Sequence, residues 1–125
     1  MGSKTDYLEE KILDHVLGVA AYTQPTIYVA LFTSSPTEAG GGTEVSGGSY
    51  ARQAASFGAA SGGAASNSGA LTFPSMPACT VVGFALMDAA SSGNMLYYAD
   101  FAASQEFAAG TDAEFAVGDL DITED

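Results

Sequence analysis

A chain of 125 residues has the length of one domain rather than two. Fifteen acids against three bases (Lys4, Lys11 and Arg52) give a formal charge of −12, which sets the chain against phosphate backbones and anionic lipid and argues against nucleic-acid and membrane binding. Apolar residues make up 47% of the chain, but many are alanine. With fifteen glycines besides, the bulky core residues fall in short clusters, the pattern of a many-stranded β protein such as a sandwich or barrel.

In chain order, Leu8, Ile12, Leu13, Val16 and Leu17 recur at helical spacing and form one apolar stripe. The spacing predicts a helix over about 5–17, with Thr5 and Asp6 as cap candidates and Gly18 as the stop. Asp6, Glu9 and Glu10 near its start and His15 near its end suit the helix dipole. After a turn at 22–25, residues 27–33 (IYVALFT) are apolar on both faces and rich in strand formers, so they predict a buried strand.

The character then changes. Residues 34–49 hold no large side chain except Val45 and read as a long loop, a feature that is functional or disordered when it occurs in a compact domain. Residues 50–57 form a candidate strand, 58–69 a second stretch of Gly, Ala and Ser, and 70–74 a short strand broken by Pro74. Three further strands are predicted over 80–88, 95–101 and 113–117, separated by turns at 91–94 and 109–112. The alternating residues 120–123 form a short edge strand. The fold class is therefore mainly β: a β-sandwich, jelly-roll-like, of about six to eight strands over 26–123, with one N-terminal α-helix, all in a single unit over 1–125.

Chemistry is sparse. His15 stands alone inside the predicted helix, no Gly-x-Ser-x-Gly elbow supports a hydrolase, and fifteen acids make any nominated carboxylate pair uninformative, so no catalytic residue is assigned. The glycines at 40–42 and 47–48 lack the Lys and following helix of a phosphate-binding loop, and Glu38 and Glu44 would repel an anion. They give an arm or a solvated tip its freedom. Asp119, Asp121, Glu124 and Asp125 offer hard oxygen ligands, but their spacing matches no EF-hand loop, so no metal and no cofactor is assigned. Cys79, the only cysteine, excludes an internal disulfide and reads as a small buried thiol. Tyr97 and Tyr98, adjacent on a strand, must face opposite sides. Arg52, the only arginine, can bridge two carboxylates, and its first role is to anchor the end of the long loop within the chain. The N-terminus has neither the basic start nor the apolar run of a signal peptide, and the high negative charge also suits a salty medium.

Three blocks carry a resemblance: residues 7–18 (YLEEKILDHVLG), 28–38 (YVALFTSSPTE) and 40–53 (GGGTEVSGGSYARQ), with 116–122 (AVGDLDI) at the far end. Together they resemble a family of small proteins encoded among the structural genes of tailed bacteriophages, whose members carry tail-fibre-like or head-decoration labels. The resemblance implies a virion component without enzymatic activity. The expected assembly is a homo-oligomer, with a trimer as one candidate, made in the host cytoplasm. It leaves Glu38, Glu44, Tyr50 and Arg52 as candidates for holding the loop or an interface. No heptad or fibrous repeat is present to build a shaft. The first expectation is therefore a decoration or cement protein on the outer capsid surface, contacting the major capsid protein. The alternative is a tail-fibre or tail-tip module that binds a host surface receptor.

Overall fold

The computed structural model describes residues 3–124. Ten strands and one helix follow in the order β1 (Ser3–Lys4), α1 (Asp6–Val16), β2 (Tyr28–Ser34), β3 (Thr43–Glu44), β4 (Gln53–Ala54), β5 (Ala64–Ser66), β6 (Leu71–Phe73), β7 (Cys79–Met87), β8 (Met95–Phe107), β9 (Ala113–Phe115) and β10 (Asp121–Thr123). All pairing is antiparallel. A six-stranded sheet runs β1-β8-β7-β2-β3, with β4 also on β2, and two small sheets pair β10 with β5 and β6 with β9.

Period-2 alternation sorts the long strands onto two faces. Val29 and Leu31 of β2, Phe84 and Leu86 of β7, and Ala99 of β8 enter one cluster with Leu71, Phe73, Phe115 and Ile122 from the small sheets. The main sheet and the small sheets thus form two layers around a common core. Phe73, with no exposed surface, is its centre: it stacks on Tyr50 and meets Phe115 edge-on, the two geometries that aromatic quadrupoles favour. The opposite face gathers Ala30, Phe32, Ala85 and Met87, with Tyr28, Met95 and Tyr98 packed against them. Tyr97 and Tyr98 accordingly serve different faces.

The helix runs inside its predicted bounds. Thr5 is the N-cap, its hydroxyl accepting from the Leu8 N–H and donating to the Met95 carbonyl at 2.6 Å, so one buried side chain starts the helix and ties it to β8. Gly18, at φ +79°, follows the C-cap Leu17. The apolar stripe is used only in part: Leu8 is buried and Ile12 half-buried, while Leu13, Val16 and Leu17 lie open. At about 100° per residue the stripe wraps roughly half the helix, and only the side holding Leu8 and Ile12 meets the sheet.

Several strand bounds differ from the sequence expectation for physical reasons. The long loop is not a free arm, because β3 pairs Thr43 and Glu44 with Ser34 and Phe32. Gly42 makes that return possible, since it adopts φ +75° and a Cβ there would lie 2.7 Å from the Ser34 carbonyl oxygen. Of the strand expected over 50–57, Gln53 and Ala54 pair with β2 and Phe57 makes an isolated bridge to Asn67, while the Tyr50 side chain turns to another task. The second Gly/Ala/Ser stretch hides β5, held by backbone bonds to β10. Strand β8 continues to Phe107, with residues 101–104 bulged out opposite Val82, and its Ala-Ala-Ser-Gln run carries little strand signal. Cys79 is half-buried against the main core, and burial pushes its thiol up.

Candidate functional site

Both short strands that sheathe β2 leave its edge open at one point. β4 pairs Tyr28 and Val29, β3 pairs Phe32 and Ser34, and the Val45 N–H reaches the Leu31 carbonyl. The Leu31 N–H lies in the gap, and the Tyr50 hydroxyl accepts it at 2.9 Å. A buried backbone donor left without a partner costs as much as a lost hydrogen bond, so this phenol closes the strand edge.

The same hydroxyl donates to Glu44 Oε2 at 2.7 Å. Arg52 meets Glu44 in a fork, Nε to Oε2 at 3.0 Å and Nη2 to Oε1 at 2.9 Å. Its remaining terminal nitrogen, Nη1, donates to the Ala89 and Ser92 carbonyls at 3.0 and 2.8 Å. The Arg52 side chain is only 9% exposed, so the guanidinium is largely withdrawn from water with its charge answered by Glu44. Three segments, the returning loop, the nearby β4 approach and the sequence-distant β7–β8 turn, are pinned by one carboxylate and one arginine. Burial first, and then the bond to Glu44, push the Tyr50 phenol above its ordinary 10.0, with the Leu31 N–H working against them. The hydrogen bond to Glu44 likewise raises Arg52.

This clamp forms the floor of an open hollow of about 420 Å³ with a mixed polar and apolar lining, rimmed by Ser46, Gly47, Ser91 and Ser92. The structure thus brings together Glu44, Tyr50 and Arg52 of the four residues singled out from the sequence. Glu38 lies elsewhere, in the Thr37–Gly40 turn, where its carbonyl accepts the Asp6 N–H. There it joins Asp6 and Glu9 in an exposed group of carboxylates whose oxygens lie within 4.8 Å of one another, at the helix N-terminus that favours negative charge.

The C-terminal acids considered as cation ligands are separately engaged. Asp119 accepts the Ala116 N–H at 2.8 Å, Asp121 takes the Ser66 hydroxyl, and Glu124 takes both the Lys4 ammonium and the Tyr97 hydroxyl. Asp125 lies outside the described residues. His15 is exposed and uses Nδ1 to accept the Tyr22 N–H at 3.1 Å, which ties the segment after the helix back to it.

Asn67 carries no local signal of its role. It is 1% exposed and saturates its amide by donating to the Gly69 and Ala116 carbonyls and accepting the Leu120 N–H. It locks β5 to the turn before β10. A second hollow of about 270 Å³, almost wholly apolar, opens between Ile27, Phe57, Tyr97 and Ile122.

Residues 3–123 match the family model described as Podophage GP4 fiber I protein gp80. No curated protein matches the chain. With nearly all of its length inside the match, the chain belongs to this fibre family and is a structural component of a phage virion.

Proposed function

We propose that this member of a podophage fibre family serves in the tail, as a fibre or tail-tip module that presents a rigid surface to the host, and that it does so without catalysis. The observation that carries this reading is the family match across residues 3–123, whose description is that of a fibre protein. It favours the tail over the capsid-decoration role that small size and the absence of a shaft repeat suggest.

The fold supports a presenting role. Loops that hold recognition groups bind best when a scaffold fixes them, because less conformational entropy is lost on binding. Here the loop tips at 46–48 and 90–92 are glycine- and serine-rich, yet they sit on the Glu44, Tyr50 and Arg52 clamp. The hollow between them offers serine hydroxyls and backbone groups beside apolar surface from Val45, Ala51 and Ala90, a mixed lining suited to an amphipathic ligand such as the face of a surface glycan. Glu38, at the far turn, belongs to a different surface.

Quantitative mass spectrometry of purified virions, with heads and tails separated, tests the reading. The chain is expected in the tail fraction at low copy number. Abundance near that of the major capsid protein in the head fraction would overturn it and restore the decoration role.

A further inference from the structure

Of the five large apolar side chains that stand exposed among the described residues, four crowd into seven positions at the end of α1: Leu13 (57%), Val16 (72%), Leu17 (70%) and Val19 (74%). An isolated helix of 11 residues is marginal in water and needs tertiary burial, yet α1 fully buries only Leu8. Leu13 and Leu17 are i, i+4 neighbours and Val16 lies beside them, so the side chains make one contiguous patch. Together they expose on the order of 400 Å² of apolar surface, the size at which a patch on a monomer is commonly functional.

Charge selects the occupant. The chain carries −12, and copies of it repel one another over most of their surface. Between Asp14 and Glu38, however, no Asp, Glu, Lys or Arg occurs, and Val16, Leu17 and Val19 with their continuation through Ala20 and Ala21 lie in that stretch, with Leu13 at its border. An uncharged, apolar stretch in so acidic a chain has the composition of an interface core. A second copy that meets only this uncharged end keeps clear of the acids in the first turns of the helix.

We infer that two copies of this chain associate by packing the C-terminal halves of their α1 helices against each other through Leu13, Val16 and Leu17. The pairing is antiparallel. Asp6, Glu9 and Glu10 lie one to two turns before the patch, on the same side of the helix, so a parallel pair would bring six acids together, whereas an antiparallel pair sets each acidic turn against the partner's uncharged residues after Val16. The contact is isologous, the same patch on both partners. Burying the patch on both copies removes about 800 Å² of apolar surface, to which Ala20 and Ala21 add, which is the low end of specific interfaces, so the pair is expected to be weak and concentration-dependent. The inference goes beyond the fibre reading and holds wherever in the virion the chain sits.

Sedimentation equilibrium of the full chain, at concentrations up to about 100 µM, is the test. Wild-type protein is expected to reach the mass of two copies. Leu13→Glu and Leu17→Glu place a charge at exposed positions, so the monomer keeps its far-UV circular dichroism while association weakens at least about tenfold. A wild-type chain that stays monomeric throughout overturns the proposal. So does a Leu17→Glu chain that associates as well as wild type, and a trimer would overturn the two-fold antiparallel arrangement.

Discussion

The edge of β2 and the free end of α1 are two places where backbone or side chains run short of partners, and the chain treats them in opposite ways. At β2 every gap is closed from within: β3 and β4 cover the edge in two pieces and the Tyr50 hydroxyl takes the Leu31 N–H left between them. At α1 the first turn is tied down by Thr5 and Leu8, and the apolar end is left open. An unpaired strand edge invites indiscriminate pairing, because every chain carries backbone donors and acceptors. An apolar helix face is choosier, since only a complementary shape without charge fits it. The difference separates surface that the fold must silence from surface it can offer.

If that contrast is sound, substitutions in the closed region should be costly and those at the open end nearly free. The largest effect is expected from Phe73→Ala, which empties the centre of the core and should lower unfolding free energy by about 3–5 kcal/mol in urea titrations. Glu44→Ala comes next. It strips Arg52 and the Tyr50 hydroxyl of their shared acceptor, a loss of about 2–3 kcal/mol, and a double-mutant cycle with Arg52→Met should show strong coupling between the two positions.

Tyr50→Phe keeps the stacking on Phe73 but leaves the Leu31 N–H unanswered, for about 1–2 kcal/mol by the same titration. It also weakens the pH dependence. Tyr50 and Tyr97 have folded-state pKa values raised above the ordinary 10.0, chiefly by burial, so the unfolded chain loses these protons first. Their contribution is intact below pH 10 and declines as pH rises beyond it. Thermal scans should show the melting temperature dropping from about pH 10 upward, and dropping less steeply in Tyr50→Phe. The smallest effect is expected from Leu17→Ala, within about 0.5 kcal/mol in dilute solution, since that side chain touches little in the monomer. A loss comparable to that of Phe73→Ala would erase the contrast.

How much of this could be read from sequence follows from where the information lies. Helix α1 and strands β2 and β7 announce themselves through periodicity, a capping threonine and continuous apolar runs, because side chains decide them. Strands β3 and β5 do not. Their residues carry no patterned side chains, and their pairing depends on glycines such as Gly42 taking a left-handed conformation that brings the backbone into reach. The rarity of arginine drew attention to Arg52, and its fork on Glu44 follows from charge. That Tyr50 would serve a missing strand bond depends on the stop positions of β3 and β4, which no local signal sets. Asn67 was illegible for a related reason, since an asparagine among Gly and Ser reads as a turn residue and only the folded chain gathers three partners around it.

The contrast between the closed edge and the open helix end is tested most directly by amide hydrogen exchange at two protein concentrations, one dilute and one above the association range. Amides of residues 28–34 and 79–87 should be strongly protected and insensitive to concentration, while those of residues 12–22 should exchange quickly when dilute and slow as copies pair. Equal protection of residues 12–22 at both concentrations would contradict the account, because the helix end would then owe nothing to a partner.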